Sequence, residues 1–369
     1  MKLIQAKRDE LLKPLQAVTG IVEKRHTLPI LSNVMIEKNQ ESMTLVATDL
    51  EIQISTSFNV EGKKTEDASL TVSARKLQDI LRALPDEAEA ILDFQNNRLQ
   101  VRSGKSRFNL QTLPANDFPK LADPGIVLAK VVMPQKELKS LLMLVQYAMA
   151  QQDIRYYLNG LLLVLDEAMI KVVATDGHRL SFASGVLPQA HEKTEVILPR
   201  KAVLELSKQL QDSADQVEIE LFPNQVKFRF SGIELVTKII DGKFPDYTRV
   251  IPSNYEKHII LDRASLLHTL QRAAILSNEK FRGVRWMLTA NSLRISCTNN
   301  EQEEAQEEIE ITYAGDPLDV GFNITYLLDI LNNVQGETVD CAFGDANSSM
   351  LITMPNIAGF QYVVMPMRI

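Results

Sequence analysis

Three stretches of the chain carry apolar residues at steps of three and four, the spacing of one face of an α-helix. They span residues 8–22, 134–150 and 262–278. Their apolar positions are Leu11, Leu12, Leu15 and Val18; Leu138, Leu141, Leu142 and Val145; and Leu266, Leu267, Leu270 and Ala274. Pro134 suits the first turn of the second helix, and Asp262 suits the N-cap of the third. The pattern predicts three amphipathic helices.

Alternating apolar and polar residues follow each of these helices and predict strands. In residues 43–55, for example, Leu45, Ala47, Ile52 and Ile54 mark one half-buried face. Further helices are predicted at 73–84, 199–211 and 322–333, and hairpin-like pairs at 90–103, 217–231 and 339–354. Asn-Asn, Pro-Asn and Asp-Ala-Asn groups provide the hairpin turns. Helix pairs against mostly antiparallel sheets define an α+β fold class.

The same order of elements occurs three times. VATDLEIQIS at 46–55 returns as VATDGHRLSF at 173–182, and a fainter SCTNNEQEEA occupies 296–305. A fixed period of about 125 residues indicates a repeated unit of domain size. We therefore predict three copies of one domain, at 1–127, 128–256 and 257–369.

Composition changes this picture little. The chain has 369 residues, of which 45% are hydrophobic and 24% charged, as is ordinary for a soluble globular protein. Cys297 and Cys341 fall on predicted strands, which indicates buried free thiols in a reducing cytoplasm. The N-terminus does not read as a signal peptide, and no apolar run approaches the roughly 18 residues of a membrane span. We expect a cytoplasmic protein without a membrane partner.

The net charge of −7 argues against a nucleic-acid partner when it is taken alone. The charge is unevenly distributed, however: the six predicted helices together carry +5, so the rest of the chain carries −12. Two interpretations remain open at this point. Lys and Arg are good helix formers, so the bias is compatible with ordinary surface scatter. Alternatively, the helices present one mildly basic surface to a polyanion.

The sequence contains no P-loop, dinucleotide-binding, zinc-protease or paired-cysteine motif. His178 follows Asp176 by two positions, and Ser181 is close by, so a Ser-His-Asp site can be imagined. Residues on a single strand alternate between faces, however, and cannot converge as a triad must. A structural or binding role for His178 is favoured.

Segments in all three repeats resemble one known family, the bacterial sliding clamps, which are the beta subunits of DNA polymerase III. The matching segments are ELLKPLQAVTG at 10–20, TLPIL at 27–31, VRSGKSRF at 101–108, QDIRYYLNG at 152–160, VATDGHRL at 173–180, DGKFPDY at 241–247, RAAILSNEKFRGVR at 272–285 and VVMPMR at 363–368. The resemblance implies a head-to-tail homodimer in which six equivalent domains form a ring, with helices lining a central hole and antiparallel sheets outside. Duplex DNA would pass through the hole.

Such a ring would be a non-catalytic processivity factor without metal or cofactor. Its implied partners are duplex DNA bound without sequence preference, a second copy of the chain, the clamp loader, replicative and translesion polymerases, and other proteins with a short clamp-binding peptide. A ring retains DNA by topology and needs only weak phosphate attraction. This accounts for the acidic charge, because an acidic exterior suppresses non-specific binding.

Three sets of site residues carry over from the family. The partner pocket comprises Leu158, Thr175, Gly177, His178, Arg179, Leu180, Pro245, Arg249, Val250, Val363, Val364, Met365, Pro366, Met367 and Arg368. The DNA contacts are Arg25, Gln152, Arg75, Arg200 and Lys201. The dimer interface comprises Lys76, Arg98, Lys105, Arg107, Phe108 and Leu110 against Ile275, Leu276, Glu301, Glu303, Glu304 and Glu307.

Two alternative functions differ in class. A monomeric adaptor would bind peptides without encircling DNA, and its Phe108 and Ile275 would be core residues. An enzyme would use Asp176 and His178 for turnover of some substrate. The mass in solution separates the first alternative from the clamp, since the clamp would have twice 41.5 kDa.

Overall fold

The computed structural model describes residues 1–23, 28–40, 42–59 and 67–369. Its helices are α1 (Arg8–Thr19), α2 (Ala74–Ala83), α3 (Gln135–Val145), α4 (Arg200–Gln209), α5 (Arg263–Ala274) and α6 (Ile324–Asn333). Its strands are β1 (Lys2–Lys7), β2 (Asn33–Lys38), β3 (Ser42–Thr48), β4 (Ile52–Asn59), β5 (Ala68–Ser73), β6 (Glu89–Gln95), β7 (Arg98–Ser103), β8 (Ser106–Leu113), β9 (Ala129–Pro134), β10 (Gly160–Thr175), β11 (Arg179–Pro199), β12 (Gln216–Leu221), β13 (Gln225–Phe230), β14 (Ile233–Lys238), β15 (Lys257–Asp262), β16 (Gly283–Thr289), β17 (Ser292–Thr298), β18 (Glu304–Glu310), β19 (Leu318–Asn323), β20 (Thr338–Phe343), β21 (Met350–Thr353) and β22 (Phe360–Val364).

The six helices lie where the periodicity predicts them, with shorter ends. The Asp262 side chain caps α5 by accepting a hydrogen bond from the Ser265 amide at 2.6 Å, as predicted. The predicted role of Pro134 is wrong. Pro134 is the last residue of strand β9, where it is paired with Gln216, and α3 begins one residue later. Proline is tolerated there because β9 lies at the edge of its sheet.

One compact unit consists of Met1–Lys136 and Leu204–Ile239. Its strands form a twelve-stranded antiparallel sheet in the order β1-β6-β7-β8-β5-β2-β3-β4-β14-β13-β12-β9. Strand β4, from the first repeat, pairs with β14, from the second, in the register Ile233↔Thr56 to Thr237↔Ile52. The two repeats are thus joined through a continuous sheet. Helix α1 packs on α2 and on strands β3 and β4.

The other compact unit consists of Glu137–Val203 and Ile240–Ile369. It contains a six-stranded sheet, β10-β11-β22-β21-β20-β15, and a four-stranded sheet, β18-β17-β16-β19. Strand β11, from the second repeat, pairs with β22, from the third, between Arg179↔Val364 and Ala183↔Phe360. Helix α5 packs on α6 and on the four-stranded sheet. The antiparallel α+β prediction is confirmed, and the repeat limits at 127 and 256 stay predictions.

Local details follow from the sequence. Asn96 and Asn97 turn the β6–β7 hairpin with φ of 52° and 56°, values that asparagine tolerates well. Cys297 and Cys341 are free and buried, as predicted, and burial raises the pKa of Cys297 to about 11. Within the described ranges, no helix has both the length and the apolar character needed to cross a membrane.

Candidate functional site

A cavity of about 180 Å³ lies in the unit that contains strands β10 and β11. Four segments form it: the residues before β10, the turn between β10 and β11, the stretch from Phe244 to Val250, and the end of β22. Its lining residues are Arg155, Tyr157, Leu158, Thr175, Gly177, His178, Arg179, Leu180, Phe244, Pro245, Tyr247, Val250, Val363 and Met365. A mostly apolar concave site with a few polar groups at its rim is typical of ligand binding.

Ten of the fifteen residues predicted for the partner pocket line this cavity. The five that do not are Arg249, Val364, Pro366, Met367 and Arg368. Four lining residues were missed: Arg155, Tyr157, Phe244 and Tyr247. They belong to the matching segments QDIRYYLNG and DGKFPDY, so the signal was present in the sequence.

The turn between β10 and β11 is built by its own side chains. The Thr175 hydroxyl donates to the Arg179 carbonyl at 2.6 Å and accepts from the Gly177 amide at 3.1 Å. One oxygen of Asp176 accepts from the amides of His178 and Arg179 at 2.9 and 3.1 Å. Asp176 and His178 therefore lie in this turn rather than on a strand. The Asp176 carboxylate is committed to the backbone, which gives it a structural role.

Gly177 is required by this turn. Its φ is +90°, a conformation that favours glycine. A β-carbon at this position would also lie 3.0 Å from Nη2 of Arg155. Arg155 in turn donates to both oxygens of Asp153 at 3.0 Å, and this hydrogen bonding lowers the pKa of Asp153 to about 2. The rim of the cavity thus contains an ordered ion pair.

The floor of the cavity, below this turn, is a packed apolar cluster. Its buried members are Leu162, Val164, Val173, Leu180, Ile197, Phe244 and Val363. Tyr247 and Val250 pack on it from the outside, and the ring of Tyr247 stacks on Phe182 at 5.8 Å. The cavity therefore has a rigid apolar floor.

Arg179 forms part of the wall although its guanidinium is not available to a ligand. Nη1 donates to Asp329 at 2.6 Å, Nη2 to the Tyr147 carbonyl at 2.6 Å, and Nε to Asp176 at 3.2 Å. The ring of Tyr326 lies 4.4 Å from Cζ. Burial alone would lower the pKa of Arg179, but the neighbouring Tyr362 and Asp329 raise it above its ordinary value.

The C-terminal segment divides into a strand and a tail. Val363 and Val364 both belong to β22, but only Val363 faces the cavity, while Val364 is fully buried. The Met365 amide donates to the His178 carbonyl at 2.9 Å, and the Met367 amide to Gly321 at 2.8 Å. Neither Val364 nor Met367 lines this cavity, because strand alternation and the bridge to β19 turn them elsewhere. Their assignment to a partner site stays a prediction.

The predicted DNA contacts differ in their surroundings. Arg25 lies outside the described residues. Gln152 is exposed in a loop with φ +58°, and Arg75 is exposed near the start of α2. Arg200 is half-buried and donates to the Met149 carbonyl at 3.1 Å. Burial, and secondarily Arg179, lowers the pKa of Arg200. Lys201, the next residue of α4, is half-buried.

Most of the predicted interface residues lie at the surface. Ile275 is 78% exposed and Phe108 36% exposed, whereas Leu110 is largely buried and Leu276 is half-buried. The exposed charged members are Lys76, Arg98, Lys105, Arg107, Glu301, Glu303 and Glu304. Glu307 differs, because Arg272 of the same molecule donates to both of its oxygens at 2.8 and 2.7 Å.

Repeated helix pairs joined through continuous antiparallel sheets define a three-domain clamp fold. Models for the N-terminal, central and C-terminal domains of the DNA polymerase III beta subunit match residues 1–122, 132–246 and 248–368. The chain therefore belongs to the DNA polymerase III beta subunit family, the bacterial sliding clamps. The prediction of a sliding clamp that acts as a processivity factor is confirmed.

Relatives and solved structures agree over the full length. The beta sliding clamp of Pseudomonas putida is 43% identical over 364 residues, and that of Escherichia coli K12 is 41% identical over 362, each alignment covering 98% of both chains. The sliding clamp of Pseudomonas aeruginosa bound to griselimycin matches with a TM-score of 0.96 at 41% identity, covering all of both chains. The Caulobacter crescentus clamp matches at 0.94 and 34%, covering 100% of this chain and 99% of the other.

These relatives are sliding clamps, which disfavours both the adaptor and the enzyme.

Proposed function

We propose that two copies of this chain close head to tail into a ring around duplex DNA, and that the ring tethers replicative and repair polymerases through the cavity. In this proposal the chain is a cytoplasmic, non-catalytic subunit of three domains, 1–127, 128–256 and 257–369. Its DNA and interface residues are those predicted from the sequence. Its further partners are the clamp loader and other proteins with a clamp-binding peptide.

The observation that carries the proposal is a rule of strand pairing between successive repeats. The strand after the VATD turn of one repeat pairs with the last strand of the next: β4 with β14, and β11 with β22. The corresponding strands left over are β18 in the third repeat and β8 in the first. Strand β18 ends its sheet, and β8 pairs with β5 only at Leu113 and Thr112. Applied once more, the rule pairs β18 of one molecule with β8 of another.

The charged and apolar side chains of the two strands support this pairing. The β8 side offers the cations Lys105 and Arg107 with Phe108. The β18 side offers Glu301, Glu303 and Glu304, and Ile275 directly follows α5, which packs on β18. Exposed ion pairs contribute little singly and act mainly on registry and encounter. Since the two strands belong to different repeats, the contact is heterologous, and two such contacts close a dimer.

The cavity supports binding of a short apolar peptide. Each fully buried apolar side chain contributes about 1.5–3 kcal/mol before ordering costs are subtracted. Two or three of them leave a net free energy of about −6 to −8 kcal/mol, which corresponds to micromolar affinity. A dimer has two such pockets and gains from avidity. Weak binding suits a clamp that exchanges polymerases.

Retention on DNA tests the ring. The helices offer a small positive excess, so equilibrium binding to short linear duplex should be weak and sensitive to salt. After loading onto closed circular duplex, the protein should survive moderate salt and be released when the circle is cut. Equal retention on linear and circular DNA at that salt would contradict the ring.

Sedimentation of an interface variant tests the contact. Replacing a packed leucine or isoleucine with alanine costs about 2–5 kcal/mol when the contact is core-like, and a ring contains each contact twice. We expect Ile275→Ala/Leu276→Ala to dissociate at concentrations where the native protein is a dimer. Ile260→Ala, at another exposed isoleucine, is the matched control and should remain dimeric. An undisturbed dimer in the double variant would remove these residues from the interface.

A further inference from the structure

One carboxylate outside the cavity has a direct connection to its wall. Asp329 lies on α6 in the third repeat and is not among the lining residues. Its Oδ2 accepts from Nη1 of Arg179, a lining residue of the second repeat, at 2.6 Å. Both residues belong to the same compact unit. The pocket wall supplied by one repeat is therefore held from behind by the next.

The guanidinium of Arg179 has few alternatives to this arrangement. Arg179 is only 9% exposed. All three of its nitrogens have protein partners, and Tyr326 covers one face of the group. Asp176, the other carboxylate in contact, already accepts from the amides of the turn. The Asp329 carboxylate, by contrast, has this cation as its partner.

Loss of the Asp329 charge would leave a mostly buried cation with one shared carboxylate. An undercompensated buried charge is costly, and side chains rearrange to reach water. Because Arg179 lines the cavity, the cavity is an open space within reach of its guanidinium. A guanidinium turned into a space of about 180 Å³ would occupy the volume that an apolar peptide side chain needs.

We propose that Asp329 is a positioning residue for the peptide pocket: it holds the Arg179 guanidinium over the ring of Tyr326 and thereby keeps the cavity open and apolar. The inference rests on the proposed function of the cavity. It distinguishes two kinds of pocket residue, those that contact a peptide and one that acts only through Arg179.

The test measures binding of a labelled synthetic peptide that carries the clamp-binding segment of the replicative polymerase to the full-length dimer. Asp329→Asn should weaken binding about tenfold, the scale of one lost charge-assisted hydrogen bond. Asp319→Asn is the matched control. Asp319 also lies in the third repeat and pairs with an arginine, Arg285, but it is not a lining residue, so binding should stay within about twofold of native.

Dependence on Arg179 separates positioning from general damage. In an Arg179→Met background, Asp329→Asn should have no further effect on peptide affinity, whereas general damage to α6 would still lower it. The dimer mass of Asp329→Asn should stay native. If Asp329→Asn fails to fold, Asp329→Glu replaces it; this variant keeps the charge, displaces it, and should weaken binding about threefold.

Two results would overturn different claims. Native affinity in Asp329→Asn, or in Asp329→Glu when only that variant folds, would refute the positioning role. It would leave the pocket intact provided that Val250→Asp, which places a charge on the cavity wall, abolishes binding. Native affinity in Val250→Asp as well would refute the proposed pocket itself. An equal loss from Asp329→Asn with and without Arg179 would show that the residue acts on the fold.

Discussion

The turns at Thr48–Ile52 in the first repeat and Thr175–Arg179 in the second have the same hydrogen bonds and different roles. In the first turn, the Thr48 hydroxyl donates to the Ile52 carbonyl at 2.8 Å and accepts from the Leu50 amide at 3.1 Å. Asp49 accepts from the next two amides at 3.0 and 2.8 Å. Each of these bonds has a counterpart around Thr175 and Asp176. The shared letters VATD therefore encode a way of building a turn.

The difference lies at the third turn position. Leu50 has φ +78°, close to the +90° of Gly177. A leucine in this left-handed region is strained by roughly 1–2 kcal/mol, so the surroundings must hold the first turn in shape. In the second turn, glycine removes the strain and lets the Arg155 guanidinium pass close to the backbone. The two repeats thus share the backbone conformation of this turn. They differ at its third position, where the turn that lines the cavity has no side chain.

The apolar clusters beneath the two turns also differ, in size and in whether they form part of a cavity. Under the first turn, Met35, Val46 and Phe118 form a small cluster, and Ile30 and Ala115 pack against it. Under the second, a larger cluster includes Val173 and Phe244, equivalent in sequence to Val46 and Phe118, and it forms the floor of the cavity. One copy forms a cavity with the same framework that the other copy uses for packing.

The largest effect on peptide affinity is expected from a substitution at the third turn position. Gly177→Leu introduces strain of roughly 1–2 kcal/mol and a clash with Arg155, so the turn must move and take the cavity wall with it. We expect peptide affinity to fall by about thirtyfold, corresponding to about 2 kcal/mol. Fluorescence anisotropy of a labelled polymerase peptide measures the change.

Leu50→Gly is the matched control in the first repeat, and it should leave peptide affinity within about twofold of native. The comparison would be wrong if the two variants weakened binding equally, or if Gly177→Leu bound the peptide like the native protein.

Removing the turn threonine should separate stability from binding. Thr48 and Thr175 are both buried and bonded alike. Thr→Val preserves shape but removes the donor and leaves a carbonyl unsatisfied, at a cost of about 1–3 kcal/mol. Both variants should lower the free energy of unfolding by similar amounts in urea titrations.

Only Thr175→Val should also weaken peptide binding, by about fivefold, since its turn places His178 and Leu180 in the cavity wall. An equal effect of Thr48→Val on peptide binding would indicate that the first turn also contributes to the site.

The fold was largely predictable from the sequence because two periodicities determine it. The spacing of Leu266 and Leu270 identified α5, and the capping oxygen of Asp262 its start. The errors, at Pro134 and at Asp176 and His178, concerned residues at the boundaries of elements. Antiparallel hairpins followed from asparagine turns such as Asn96-Asn97. Which strands pair between repeats could not be predicted, because the pattern gives strands but not their neighbours.

The site was less predictable than the fold. Which residues line a cavity depends on the face of the strand that each side chain occupies, as well as on where the strand lies. Val363 lines the cavity and Val364 does not, and only the register of β22 against β11 separates them. Met367 lies outside the cavity lining because its backbone is hydrogen-bonded to Gly321, far away in sequence. Tyr157 and Tyr247 were missed although both lie in segments that match the family, because they stand in single helical turns too short for a periodic pattern. The support of Arg179 by Asp329 spans 150 positions.

The smallest expected effect concerns the ion pair beside the second turn. Arg155 lowers the pKa of Asp153 from its ordinary 3.8 to about 2. A depressed carboxyl pKa stabilises the fold above the unfolded value, and this contribution is lost as pH falls through the folded value. The difference in free energy of unfolding between native protein and Asp153→Asn should therefore favour the native protein at about pH 5 and shrink as pH falls through about 2. Because the pair is at the surface, the difference should be small and reduced by salt.

Denaturant titrations across this pH range measure the difference in free energy of unfolding. Arg155→Met, which removes the other partner, should reproduce the profile. A difference that stayed constant with pH would show that Asp153 acts through its hydrogen bonds to the loop and not through its charge, and the ordered ion pair would then not distinguish the second turn from the first.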